Sequence, residues 1–218
     1  MQKRDIRSYV IREGRMTPGQ KRALDEQWDR FGLNVEDGLV DVSFEKKSEI
    51  VLEIGFGMGD SLFEMAQTYP ETNYIGAEVH RPGVGHLLQL AATHDLSNLR
   101  VFQADSIDVL TQSIPDNYLS KVQIFFPDPW HKKKHNKRRL ISSEFVTLVR
   151  DKLVPRGILH IATDWAPYAE VISEVMASWT PCDIPPRVET KYERRGLKLD
   201  HEVFDLAYIK LDDNLSHQ

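Results

Sequence analysis

The sequence predicts a doubly wound α/β domain, and three observations carry that prediction. From Ile50 onward, short apolar runs alternate with segments of helical period, the pattern of parallel βαβ units. The first run closes in a glycine-rich turn, Glu53-Ile54-Gly55-Phe56-Gly57-Met58-Gly59, that opens a helix. Four runs then end in or just before an acid: Glu53, Glu78, Asp105 and Asp128. That is the edge at which open α/β sheets bind ligands. With 218 residues, 41% of them hydrophobic, the chain can bury the core such a domain needs.

In chain order, residues 3–15 are basic and polar with little periodicity, and read as an arm. Thr17-Pro18-Gly19-Gln20 has the form of a capping box with proline at the first helical position. Leu24, Trp28 and Phe31 share one face of the helix that follows, which ends near Gly32. Residues 1–34, arm and helix, are expected to pack on a main domain of residues 35–218. Strands are expected at about 50–54, 73–78, 99–103, 121–126, 157–163 and 203–210. Helices are expected near 60–68, 82–93, 107–113, 143–152 and 166–177. An irregular stretch over roughly 180–202, with Pro181, Pro185 and Pro186, precedes the last strand.

Charge is unevenly distributed. The net charge is −5, yet residues 1–22 hold seven Lys or Arg against Asp5 and Glu13. Residues 131–139 add six more without an acid, so the rest of the chain is strongly acidic. Such polarity focuses a polyanion onto one face. No apolar run approaches membrane-spanning length, and Met1 to Asp5 lead into no signal-like segment, so a cytoplasmic protein is expected. The single cysteine, Cys182, excludes an intrachain disulfide and a multi-cysteine metal site.

The densest motif is Val122 to Arg139. The apolar run Val122-Gln123-Ile124-Phe125-Phe126 breaks at Pro127-Asp128-Pro129-Trp130, where two prolines forbid both helix and sheet pairing. Asp128 is thus fixed in a rigid turn beside an aromatic plane. Then follow Lys132, Lys133, Lys134, Lys137, Arg138 and Arg139, with His131 and His135 between them. Most charge runs are solvated faces, but a generic loop has no reason to hold one acid so rigidly. The combination suits chemistry on a nucleobase attached to polyphosphate. Trp130 is expected to pack at the site wall rather than stack on a base, and the two histidines to be polar contacts rather than metal ligands.

The glycine turn differs from a dinucleotide site. Its G-x-G-x-G spacing lacks the usual gap before the third glycine, and Glu53 would repel a pyrophosphate but not a sulfonium or an ammonium. Glu78 is positioned to accept from ribose hydroxyls and Asp105 from an adenine amino group. Any one of these acids reads equally as a helix N-cap, which does not explain all four.

This architecture resembles the class I S-adenosylmethionine-dependent methyltransferases. The run Phe125 to Leu140, then Thr163-Asp164-Trp165, then Thr190-Lys191-Tyr192-Glu193-Arg194-Arg195-Gly196 narrow the resemblance to the bacterial tRNA (guanine-N7-)-methyltransferase family, TrmB. The resemblance implies a Rossmann-like sheet, mostly parallel with an antiparallel last strand. It implies methyl transfer from S-adenosyl-L-methionine to N7 of a guanine in the tRNA variable loop, guanosine 46, leaving S-adenosyl-L-homocysteine. Carried onto this chain, it assigns Glu53, Gly55, Gly57, Gly59, Glu78, Asp105 and Asp128 to the donor site, with Asp128 also catalytic. It assigns Lys132, Asp164, Thr190, Lys191, Tyr192 and Glu193 to the substrate, and Lys133, Lys134, Lys137, Arg138 and Arg139 to the RNA backbone. No metal and no membrane are expected, and the protein would act as a monomer or homodimer.

Guanine N7 offers an in-plane lone pair and carries no proton, so the transfer needs no general base. Asp128 is then expected to stabilise the positive charge that develops on the purine. Asp128, Asp164 or Glu193 would read the adjacent N1–H and N2 donors of guanine. Two other classes share part of the pattern: a nicotinamide-dependent oxidoreductase, through the glycines and Glu78, and a noncatalytic RNA-binding protein of the same fold.

Overall fold

The computed structural model describes residues 8–9, 14–40, 44, 48–190, 193 and 202–211. The capping box forms as expected: Thr17 Oγ1 accepts from the Gln20 N–H at 3.2 Å, and Gln20 Oε1 accepts from the Thr17 N–H at 2.8 Å. It starts α1 (Pro18–Phe31), which buries Ala23, Leu24 and Phe31. The chain continues through β1 (Gly32–Leu33), β2 (Ile50–Ile54), α2 (Asp60–Thr68), β3 (Asn73–Ala77), α3 (Arg81–Thr93) and β4 (Leu99–Phe102). A single turn, α4 (Ser106–Asp108), runs into a π-helical turn at Val109–Ser113. Next come β5 (Leu119–Phe125), α5 (Ser143–Lys152), β6 (Leu153–Thr163), α6 (Ala166–Val175), β7 (Thr180–Pro181) and β8 (Phe204–Ile209).

The expected strands and helices are all present, with boundaries shifted by a few residues. The π turn replaces regular helix over 109–113, and its wider winding puts Val109, Leu110 and Ile114 into the core together. β6 begins at Leu153 rather than near 157. Register jumps from Leu119↔Leu153 to Lys121↔Ile158, and Arg156 takes φ +64° within the irregularity. β1 and β7 are two residues each, too short to leave a periodic signal.

The strands form one sheet in the order β1-β4-β3-β2-β5-β6-β8-β7. All pairings are parallel except those of β8, which runs antiparallel to β6 and β7. Crossovers leave in opposite directions from the β2–β5 pair, so a crevice opens at the carboxyl ends of these two strands. Side chains alternate between the faces. Leu52, Ile54, Ile75, Val122, Ile124, Leu159 and Ile161 meet Phe145, Val146, Val149, Tyr168 and Ile172 of α5 and α6 on one face. Val51, Tyr74 and Val101 meet α1, α2 and α3 on the other through Leu24, Phe31, Leu62, Met65, Leu87 and Leu88. No helix among the described residues is long and apolar enough to cross a membrane.

α3 also presses on the glycine turn. A Cβ on Gly83 would lie 1.8 Å from Gly57 O, a backbone atom that cannot swing aside. Gly83→Ala is expected to destabilise the protein by at least about 1–3 kcal/mol through overpacking. Gly19→Ala, whose Cβ meets only the flexible end of Gln89 at 3.2 Å, serves as the control. Urea unfolding of both variants checks this; equal midpoints would mean that the turn yields freely.

Candidate active site

The crevice holds a cavity of about 250 Å³ lined by Gly55, Glu78, Phe125, Phe126, Pro127 and Asp128, among others. The glycine turn enters its wall at Gly55. Gly55, Gly57 and Gly59 adopt φ of +74°, +61° and +80°, a region that side chains disfavour. A Cβ built on Gly55 or Gly57 meets nothing within 4 Å, so the turn presents open backbone to a ligand; one on Gly59 would strike Leu87 Cβ at 2.8 Å. The first two glycines make room, and the third allows close packing.

Glu78 is tied to that turn. Its Oε2 accepts from the Gly57 N–H at 2.8 Å, and its Oε1 from the N–H groups of Val79 and His80 at 2.7 and 2.8 Å. The carboxylate is therefore aimed before any ligand arrives, and Oε2, with one bond, keeps acceptor capacity at the cavity wall.

Asp128 stands on the opposite wall. The Phe126 N–H makes a last rung to Ala162 O at 2.8 Å, after which the prolines turn the chain out of the sheet. Phe126 and Trp130 bracket the motif at φ +53° and +48°, conformations that cost energy for aromatic residues. Arg139 Nε clamps the turn by donating to Pro129 O at 2.8 Å. Trp130 is held rather than offered: its indole donates to Ser8 O at 3.1 Å, and Arg138 covers its ring at 4.3 Å. Ser8 and Tyr9 also line the cavity.

The other proposed site residues spread outward. Asp105 is not on the wall of this cavity, although its neighbours Ala104 and Ser106 are. Its Oδ1 caps α4 by accepting from the Ile107 N–H at 3.0 Å, and it faces the adjoining grooves. Beyond Asp128 the basic run winds into a 3-10 helix, Lys133–Arg138. Lys133, Lys134 and Lys137 are exposed on it, as is Lys132 before it, whereas Arg138 and Arg139 are half-buried. Partial burial, then Lys134, Arg138, Lys132 and Lys137, hold the His135 imidazole below its ordinary pKa. His131 packs edge-on against Trp165 at 4.5 Å. Asp164 follows β6, but the N-cap position of α6 belongs to Trp165, whose N–H donates to Thr163 Oγ1 at 3.3 Å.

Thr190 and Glu193 form a reciprocal pair. The Glu193 N–H donates to Thr190 Oγ1 at 3.0 Å, and the Thr190 N–H to Glu193 Oε2 at 3.3 Å. Both Glu193 oxygens also accept from Arg187, at 2.5 and 2.8 Å. The Glu193 carboxylate is thus engaged on both oxygens within the protein. Lys191 and Tyr192 lie outside the described residues, as does most of the basic arm.

Glu53 is only 3% exposed and is absent from the cavity wall. It lies on the α2–α3 face of the sheet, where its Oε2 accepts from Gln123 Nε2 at 2.6 Å. A polar row continues across this face. Gln123 pairs in register with His160, whose Nε2 meets Asp205 Oδ1 at 2.8 Å. Asp205 in turn binds Arg187, at 2.9 and 2.7 Å. Sequence reasoning missed Gln123, His160, Arg187 and Asp205. The only signal was a polar residue interrupting each apolar strand, Gln123 in β5 and His160 in β6.

The fold and the cavity at its carboxyl edge define a class I methyltransferase. Among solved structures, KamB, a 16S rRNA methyltransferase, superimposes with a TM-score of 0.60 over 80% of this chain and 95% of its own, at 16% identity. A SAM-dependent methyltransferase from Aquifex aeolicus gives 0.54 over 76% and 84%, at 12% identity. These show the fold. A family model described as "Putative methyltransferase" matches residues 47–206. The tRNA (guanine-N(7)-)-methyltransferase of Colwellia psychrerythraea is 49% identical over 95% of this chain and 90% of its own length. That of Alcanivorax borkumensis is 50% identical over 95% and 92%. The chain belongs to the tRNA (guanine-N7-)-methyltransferase family, TrmB.

Burial pushes the Glu53 carboxyl up from 4.5 to about 7, with Gln123 and Lys121 opposing the shift and Glu78 adding to it. An acid whose pKa rises on folding favours the folded state fully below 4.5, and this advantage is lost as pH rises through about 7. Glu53→Gln should therefore flatten the pH dependence of stability across this window. Above it, the variant should exceed the parent by roughly 1–3 kcal/mol. Urea unfolding at mildly acidic and mildly alkaline pH measures both; parallel curves would mean that Glu53 does not pay for its burial.

Proposed function

We propose that this protein transfers a methyl group from S-adenosyl-L-methionine to N7 of a guanine in the tRNA variable loop, guanosine 46. The products are 7-methylguanosine and S-adenosyl-L-homocysteine. The observation that carries this reading is that Gly55 of the glycine turn, the aimed carboxylate of Glu78 and the proline-held Asp128 share one cavity. A cationic loop leaves directly from its rim, in a chain of this family.

The donor supplies an electrophilic methyl carbon on a sulfonium. The chain supplies position and field. Glu78 accepts from a ribose hydroxyl through the capacity left on Oε2, and the open backbone at Gly55 and Gly57 admits the ligand closely. Asp105 meets the adenine from the adjoining groove with the oxygen not used in capping. Glu53, beneath the turn and off the cavity wall, supports the sheet edge through its bond from Gln123 rather than touching the donor. Lys132 to Lys134 and Lys137 hold RNA phosphates, and Asp164 and the Thr190–Glu193 segment flank the target base. Asp128 then faces the purine as it becomes positive, where a fixed carboxylate stabilises charge without reorganising. No proton has to leave N7, so Asp128 need not act as a base. The protein acts as a monomer or a homodimer. A tRNA substrate suits a cytoplasmic location.

A tRNA carrying 7-deazaguanine at the target keeps the Watson–Crick edge but replaces the nucleophile by C–H. It should compete with normal tRNA yet accept no methyl group at that base, as read by nucleoside analysis after incubation with labelled donor. Methylation of the analogue at that base would move the chemistry to another atom.

Asp128→Asn keeps the size and removes the charge. Turnover and catalytic efficiency should fall together, by about 100-fold or more, with tRNA affinity little changed. Near-normal turnover in single-turnover assays would remove Asp128 from the chemistry.

A further inference from the structure

We propose that Arg187 is a positioning residue that fixes Thr190 and Glu193, two of the residues assigned to the substrate, relative to the wall of the donor cavity. The inference rests on those residues meeting the substrate.

Arg187 lies in the irregular, proline-containing stretch between β7 and β8. Its side chain lies on the α2–α3 face of the sheet, against Phe125 of β5 and Asp205 of β8. The side chain is 8% exposed and makes bonds in three directions. Two of its nitrogens grip Glu193 in a fork, and Nε and Nη2 grip Asp205 of β8 in a second. Its guanidinium also stacks over the Phe125 ring at 5.2 Å, and Phe125 lines the donor cavity three residues before Asp128. One planar cation thus touches the substrate segment, the sheet and the cavity wall.

Physical cost argues against a purely stabilising role. A buried ion cluster is commonly no more stable than apolar residues of the same volume. A fork does what an apolar contact cannot: it fixes both distance and orientation. Glu193 passes that orientation to Thr190 through their reciprocal bonds. Asp205 is tied further by His160, whose Nε2 meets the same Oδ1 that accepts from Arg187 Nε.

Four variants test this: Arg187→Met, Arg187→Lys, Glu193→Gln, and Arg187→Met combined with Glu193→Gln and Asp205→Asn. The last removes every charge of the cluster together and so preserves folding if the single change does not. Parent activity on tRNA is measured first; its absence would defeat the proposed function itself, not this inference. With an active parent, Arg187→Met should lower kcat/KM for tRNA by about 100-fold, as expected for an ångström-scale misplacement. Donor affinity by calorimetry should stay within about 3-fold. Arg187→Lys should recover little, because it restores charge without the fork. Glu193→Gln should lower kcat/KM for tRNA as well. The triple variant should regain unfolding stability while remaining poor on tRNA, a split that a merely structural role would not produce. If tRNA kinetics recover along with stability, or fall only in step with donor affinity, the positioning role is wrong.

Discussion

The pairing of β2 with β5 is the constraint on which this molecule depends. Parallel registration of Val51, Leu52 and Glu53 with Lys121, Val122 and Gln123 brings two distant loops to one edge. One is the glycine turn after β2, and the other is the Pro-Asp-Pro-Trp turn after β5. Because the crossovers leave this pair in opposite directions, no helix fills the space above it. The cavity is thus a product of topology, and its chemistry comes from what the two loops carry.

Each loop is rigid for its own reason. The glycine turn is held by Glu78, which accepts three backbone N–H bonds and so couples the end of β3 to the end of β2. The acidic turn is held by two prolines, by Arg139 on Pro129 O, and by aromatic residues in left-handed conformations. Such strain persists only when its surroundings over-determine it, and here the Ala162 rung and the Arg139 clamp do so. Preorganisation matters for methyl transfer to a lone pair, where little proton movement needs assistance and alignment dominates.

The two sheet faces differ in character. Helices α5 and α6 cover an apolar face, whereas the opposite face carries Glu53, Gln123 and His160 in one register row. At its outer end this row is closed by Arg187, Asp205 and Glu193. Burial alone would lower the Arg187 pKa, but its bonds to Asp205 and Glu193 raise it. Burial would raise that of Asp205, yet His160 and Arg187 hold it far below the usual carboxylate range. Charge is fixed inside the protein on this side and exposed on Lys132–Lys134 and Lys137 at the rim. The rim therefore concentrates positive charge in a chain whose net charge is −5.

The sequence by itself determined the alternation of strands and helices, the capping box at Thr17, the glycine turn and the placement of acids at strand ends. These are local properties, written in periodicity, proline and glycine, and they survive without knowledge of neighbours. The family resemblance was equally legible, since Phe125 to Leu140 is a contiguous motif. Tertiary structure decided which acid faces the cavity. Glu53 and Glu78 look alike in sequence, but strand alternation sends one under the sheet face and leaves the other at its edge. It decided that Asp105 caps α4 beside the cavity, and that Glu193 is held by Arg187. Arg187 and Asp205 are separated by 18 positions, and His160 and Asp205 by 45. Only the antiparallel return of β8 against β6 brings them together, and no spacing along the chain encodes that contact.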